Sequence, residues 1–262
     1  MNRIQKAFDE KKKVFIGFVT AGDPNLELTK ELVMAMVEGG AGLIEFGIPF
    51  SDPVAEGEVI QRADLRALAA GTTTDKIFDL VSEVRKETQV PLVFLTYANP
   101  IYAYGAEKFF TRCEASGVDG VIIPDIPYEE REEMRPYSEP HHVALVPLIA
   151  PTSKDRIQKI AKDAQGYVYV VSSLGVTGVR SNITTDIDGI VTEVRKATEL
   201  PVAVGFGIAT PEQAYKMAKA SDGAIVGSAI EKIVEKYGND SPKYVCEYVK
   251  SMADAVAMAA TA

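Results

Sequence analysis

Eight short apolar runs recur along the chain, and each is continuous rather than alternating. They are "VFIGFVT" (14–20), "GLIEFGI" (42–48), "PLVFLTY" (91–97), "GVIIPD" (120–125), "VALVPLI" (143–149), "YVYVVSS" (167–173), "PVAVGFG" (201–207) and "GAIVGS" (223–228). A strand that is apolar at nearly every position is buried on both faces, as in a parallel sheet covered by helices. The segments between the runs carry helix signals. Asn25 can cap a helix bearing Leu28, Leu32 and Met36, and Thr74 can cap one bearing Ile77, Val81 and Val84. Residues 105–116 carry Phe109, Phe110 and Cys113 and stop at Gly117, and Ile187, Ile190, Val191 and Val194 form a further stripe. Thr210–Pro211 reads as an N-cap followed by proline at the first helical position.

The units resemble one another. "GGAGLIEFG" (39–47), "SGVDGVIIPD" (116–125) and "SDGAIVGS" (221–228) share the order helix end, small residues, buried strand. "ETQVPLVFLT" (87–96) and "ATELPVAVGF" (197–206) share another pattern. Eight strands, each followed by helical material, predict an α/β fold of the (β/α)8 TIM-barrel type. Residues 2–12 read as an extra N-terminal helix covering the barrel bottom, and residues 1–262 read as a single domain without a linker. An open doubly wound sheet is the alternative. It is disfavoured because no glycine-rich turn follows the first run.

Composition narrows the function classes. With 262 residues, 47% of them apolar, the chain can bury a large core. A net charge of −9 argues against nucleic acid, and Lys154, Arg156, Lys159 and Lys162, the densest basic set, alternate with apolar residues as on a solvated helix face. No apolar run approaches the ~20 residues of a membrane span. The charged start, residues 1–13, is followed by only a short apolar run and does not read as a signal peptide. Cys113 and Cys246 lack a metal-type spacing and read as reduced thiols, and the adjacent pair His141–His142 reads as loop, so no metal is expected.

In such barrels the chemistry sits at the C-terminal strand ends. The second run carries an acid, Glu45, within its apolar stretch. Burial raises a carboxyl pKa toward neutrality, as a general acid requires, although a structural carboxylate would look the same. The loop after it, "PFSDPVAEGEVIQ", adds Asp52 and Glu56, and two carboxylates on one pocket can divide acid and base roles. The last two strands end in "GFGIATPEQ" and "VGSAIEKI", each a strand, a glycine turn and a helix start. Such turns bind phosphate through backbone N–H groups and the helix N-terminus, which nominates Gly207, Gly227 and Ser228. "SSLGVTGVRSN" (172–182) is small and flexible enough in composition for a lid. Phe18, Leu95, Tyr97, Ile122, Ile149, Tyr169 and Phe206 lie near strand ends and could together line a flat apolar slot. The residues alone reach a barrel enzyme acting by acid–base chemistry on a phosphorylated substrate with an apolar part.

Here the sequence resembles the tryptophan synthase alpha subunit family. The blocks "FVTAGDP" (18–24), "IEFGIPFSDPVAEG" (44–57), "LTYANPI" (95–101), "IIPDIP" (122–127), "GVTGVR" (175–180), "VGFGI" (204–208) and "IVGSAI" (225–230) are similar in order and spacing across essentially the whole chain. The resemblance implies retro-aldol cleavage of indole-3-glycerol phosphate to indole and glyceraldehyde 3-phosphate in tryptophan biosynthesis. It implies Glu45 and Glu56 as the catalytic pair and Gly178, Gly207, Gly227 and Ser228 as phosphate ligands. Phe18, Leu95, Ile122, Ile149, Tyr169 and Phe206 match indole-pocket positions, and Thr177 a lid residue that meets the second carboxylate. It further implies a cytoplasmic alpha-beta-beta-alpha tetramer with a beta subunit that carries pyridoxal phosphate, with no cofactor in this chain and Asp52 and Pro53 at the partner interface. The sequence departs from the family pattern at Glu56, where aspartate is the rule, and at Glu58, where proline is usual. An alpha-like subunit that mainly activates its partner, and another phosphate-binding barrel enzyme, are the competing readings.

Overall fold

The structure is a computed structural model and describes residues 2–172 and 186–261. Among the described residues nine strands form one all-parallel sheet: β1 Val14–Thr20, β2 Leu43–Gly47, β3 Leu92–Leu95, β4 Gly120–Ile122, β5 Ala144–Leu145, β6 Leu148–Ile149, β7 Val168–Val171, β8 Val202–Gly205 and β9 Gly223–Val226. Their order is β5-β4-β3-β2-β1-β9-β8-β7-β6, so the two edge strands are consecutive in the chain. Only Val146 and Pro147 separate them. The Val146 amide donates to the Val121 carbonyl at 3.0 Å, and the Pro147 carbonyl accepts from the Tyr169 amide at 3.0 Å. One interrupted strand therefore faces β4 with its first half and β7 with its second, which closes the barrel. Proline has no N–H to continue the ladder, and this explains why the fifth of the eight expected strands appears as two.

The continuous apolar runs follow from two apolar layers. Alternate side chains point inward and outward along each strand. On β1, Val14, Ile16 and Phe18 point inward, while Phe15 and Val19 point outward to the helices. On β2, Leu43 and Glu45 point inward, and Ile44 and Phe46 outward. The helix Arg3–Lys11 puts Ile4 and Phe8, four residues apart, into the floor of the inner layer. It thus covers the bottom of the barrel, as its sequence suggests.

The local signals are mostly used as read. Asn25 caps Leu26–Glu38 by accepting from the Leu28 amide at 2.8 Å. Thr210 and Gln213 form a reciprocal capping box on Pro211–Ala220, and Gly117 ends Ala106–Ser116 in a left-handed conformation. One cap lies a residue earlier than expected: Thr73, not Thr74, accepts from the Lys76 amide, and Thr74 is the first helical residue. None of the described helices is long and apolar enough to cross a membrane.

Candidate active site

Glu45 is the third residue of β2 and stands between Phe18 of β1 and Val93 of β3. Its side chain points into the barrel and is 1% exposed. Tyr167, at the foot of β7, donates its hydroxyl to Glu45 Oε1 at 2.6 Å. Burial pushes the Glu45 carboxyl up to about 7; the negative charge of Glu56 adds to this and the Tyr167 bond opposes it. A carboxyl in that range can both give and take a proton at neutral pH.

Glu56 comes from the loop after β2 and is 4% exposed. The Tyr97 hydroxyl donates to Glu56 Oε1 at 2.9 Å and accepts from the Ala55 amide at 3.1 Å. Gln61, in the helix Glu58–Ala69, donates its side-chain amide to the Glu56 carbonyl at 2.7 Å. The loop acid is therefore fixed at its carboxylate and at its backbone. Burial, and then the Glu56 charge, push the Tyr97 phenol up, so it stays a donor.

Glu45 and Glu56 line one cavity at the C-terminal strand ends, with Phe18, Leu95, Tyr169 and Phe206 as apolar walls. The Tyr169 and Phe206 rings meet edge to face at 84° with centroids 6.4 Å apart. Gly207, Gly227 and Ser228 border the same cavity. Ser228 is the first residue of the helix Ser228–Tyr237, whose opening amides have no intrahelical acceptor and face an anion favourably. A Cβ at Gly227 would lie 3.0 Å from the Phe18 ring, so glycine lets the turn approach that wall. Phe206 and Gly207 are both left-handed, with φ of 79° and 81°. The Phe206 conformation is costly for a non-glycine residue and marks a turn held by its surroundings; the Ser172 hydroxyl donates to the Phe206 carbonyl.

Some expected positions move. Ile149 packs outward against the helical layer, and Leu148 faces the cavity instead, because Ala144, Val146 and Leu148 form the inward set and the alternation carries through Pro147 to leave Leu145 and Ile149 outside. Ile122 lies in the inner apolar layer without bordering the cavity, and Tyr97 acts through Glu56 rather than as a wall. Asp52 is exposed at the loop tip beside Pro53 and Val54, away from the cavity, so the two facing carboxylates are Glu45 and Glu56. Thr177 and Gly178 lie outside the described residues. Among the described residues no cluster of His, Cys, Asp and Glu is arranged to hold a metal ion. Tyr167 was not singled out from sequence, although it precedes Tyr169 by two residues and so shares its inward face. Ile60, Ile208 and Ile225 also line the cavity, and nothing in their local sequence marks them.

Comparison with known proteins gives the family. The family model described as tryptophan synthase alpha chain matches residues 4–260. The tryptophan synthase alpha chain of Lacticaseibacillus casei is 48% identical over 256 residues, covering 98% of this chain and 96% of that relative. That of Lactiplantibacillus plantarum is 54% identical over 223 residues, covering 85% and 84%. The crystal structure of the Legionella pneumophila tryptophan synthase alpha chain superposes with a TM-score of 0.87 at 35% identity, covering 98% of this chain and 97% of that one. A chain of the tryptophan synthase complex from Pyrococcus furiosus gives 0.82 at 32%, covering 91% and 97%. With the match running almost end to end and about half the residues shared with such relatives, this chain belongs to the tryptophan synthase alpha chain family.

Proposed function

We propose that Glu45 and Glu56 divide the work of the family reaction, the carbon–carbon lyase step that cleaves indole-3-glycerol phosphate to indole and glyceraldehyde 3-phosphate in tryptophan biosynthesis. Glu45, protonated, gives its proton to the indole carbon that bears the glycerol chain. Positive charge then spreads to the ring nitrogen, and the Glu56 carboxylate accepts the ring N–H and counters that charge. Glu45, now a carboxylate, takes the proton of the adjacent hydroxyl. The hydroxyl carbon becomes the aldehyde, the carbon–carbon bond breaks, and its electron pair neutralises the ring. The proton lost by Glu45 in the first step is recovered in the second.

The phosphate of the substrate is held at Gly207, Gly227 and Ser228, and the resemblance assigns Gly178 to the same phosphate and Thr177 to a contact with Glu56. The indole ring lies between Phe18, Leu95, Tyr169 and Phe206. The observation that carries this reading is that two buried carboxyls, one raised to about 7, border a single apolar cavity that ends at a helix N-terminus. The chain works as one barrel domain, residues 1–262. Its partner is a beta subunit in an alpha-beta-beta-alpha tetramer, as the Pyrococcus furiosus enzyme is named an α2β2 complex. Pyridoxal phosphate belongs to that partner. The exposed loop tip with Asp52 and Pro53, beside Val54 at 70% exposure, is the surface offered to it. Both cysteines are free thiols, which suits the reducing cytoplasm.

The test is indole release from indole-3-glycerol phosphate, with and without a beta subunit. Glu45→Gln should lower the rate by at least ~10²-fold while substrate binding persists. Retention of a tenth of the rate would remove Glu45 from the acid role.

A further inference from the structure

Glu231 lies one turn into the helix Ser228–Tyr237, and its side chain is fully buried. Its Oε1 accepts the amide of Thr20, the last residue of β1, at 2.6 Å. Its Oε2 is buried and, among the described residues, has no hydrogen-bond partner. The side chain is nevertheless within hydrogen-bonding reach of Asp23, which is also fully buried and lies in the loop after β1. Both Asp23 oxygens are already engaged by Arg66: Nε donates to Oδ1 at 2.8 Å and Nη2 to Oδ2 at 2.7 Å. Arg66 belongs to Glu58–Ala69, the helix that leaves the Glu56 loop. It also donates to Glu235 at 3.2 Å, one turn beyond Glu231, and Arg62 donates to the same carboxylate at 2.7 and 3.0 Å.

Two ionised carboxylates only accept, so they cannot bond to each other. Arg66 balances one negative charge at Asp23, and a second in a dry site is strongly unfavourable unless it is neutralised. A single proton resolves both problems. We propose that Glu231 carries a proton that it shares with Asp23, and that this acid pair, clamped by Arg66, is the joint that sets the phosphate-binding end of the helix Ser228–Tyr237 against the loop and helix that hold Glu56. Burial and the Asp23 charge both favour the protonated form of Glu231, against the Thr20 amide and Arg66. Glu231 and Asp23 touch neither reacting atoms nor phosphate; they are positioning residues.

The inference rests on the phosphate assignment made above. Its test uses the complex with a beta subunit, with inorganic phosphate as the probe of the anion site. Glu231→Gln keeps an oxygen for the Thr20 amide and supplies a permanent N–H donor to Asp23. Its KM and its phosphate Kd should stay within about twofold of the parent. Glu231→Leu removes the donor and should raise both by roughly tenfold, the scale expected for a small misplacement of binding groups, with kcat changed much less. If Glu231→Leu leaves both constants unchanged, or Glu231→Gln shifts them as much as leucine does, the joint is overturned. Difference infrared spectroscopy of the parent against Glu231→Gln reads the proton directly at neutral pH and does not depend on the leucine variant folding. A protonated carboxyl band lost in the glutamine variant supports the proposal, and its absence from the difference overturns it. Gly207→Val separates the two readings. If it too leaves phosphate binding unchanged, the phosphate assignment itself fails; if it weakens binding while Glu231→Leu does not, only the joint fails.

Discussion

The hydroxyl of Tyr97 donates to Glu56 Oε1 at 2.9 Å while accepting the Ala55 amide at 3.1 Å, so one phenol fixes both the carboxylate and the backbone just before it. A hydrogen bond to a charged group is worth about 1.5–3 kcal/mol. Tyr97→Phe should therefore lower kcat for indole release by about 10-fold or more. KM should change little, because the residues proposed to hold the phosphate and the ring lie elsewhere. Steady-state kinetics of the variant against the parent decides this, and an unchanged kcat would mean that Glu56 needs no tether.

Tyr167 acts on the other acid. Its bond to Glu45 favours the carboxylate and so opposes the effect of burial, which raises the carboxyl to about 7. In the proposed reaction Glu45 begins protonated, so the rate should fall as pH rises through about 7. Removing the Tyr167 hydroxyl removes the one influence that lowers this value. In Tyr167→Phe the falling limb of the pH–rate profile should move to higher pH. A limb that stayed in place or moved lower would contradict the assignment of that limb to Glu45.

The same carboxyl affects stability. Its folded value, about 7, lies above the ordinary 4.5, so between these pH values the folded chain holds a proton that the unfolded chain releases. Stability from this group is fully present below about 4.5 and is lost as pH rises to about 7. At about 1.4 kcal/mol per pH unit the loss is on the order of 3 kcal/mol. Glu45→Gln keeps a neutral side chain at every pH. Its melting temperature should match the parent near pH 4.5 and exceed it by on the order of 5 °C at pH 8. A gap that does not widen with pH would show that Glu45 is not held neutral by burial.

Gly207 follows Phe206 in a turn with two consecutive left-handed residues. A branched side chain at φ 81° is strained, and Gly207 borders the cavity at the proposed phosphate site. Gly207→Val should raise KM for the phosphorylated substrate by at least about tenfold with a smaller effect on kcat. An unaltered KM, with the fold confirmed by circular dichroism, would move the phosphate elsewhere.

Features set by short stretches of chain were readable from sequence. Continuous apolar runs reflect strands buried on both faces, and caps such as Asn25 and Thr210 act on amides three residues away. Glu45 stood out because an acid is rare inside such a run. Long-range relations were not readable. The Tyr167 hydroxyl meets Glu45 across 122 positions of sequence, and only barrel closure brings them together. Leu148 rather than Ile149 faces the cavity, because a run that is apolar at nearly every position does not show which alternate set points inward. Glu231 carries no local signal of its role, since nothing near it in sequence shows that its side chain is covered by Thr20 and Asp23.

Glu56 itself gives the last test. The resemblance implies aspartate at this position, and from sequence the loop could have adjusted to either acid. In the structure the longer side chain reaches the Tyr97 hydroxyl while Gln61 holds its carbonyl, so the loop backbone is pinned at the place that suits glutamate. Aspartate would leave the carboxylate about 1.5 Å short, and misplacement of about 1 Å can cost ~10²-fold. Part of that gap can close, because the next residue is Gly57 and the loop tip beyond Ala55 is exposed. Glu56→Asp should thus lower kcat by about tenfold and leave KM near the parent value. Coupling it with Tyr97→Phe should give less than the product of the two single losses, since both sever the same bond. Fully multiplicative losses in the double variant would show that Tyr97 acts on catalysis by a route other than Glu56.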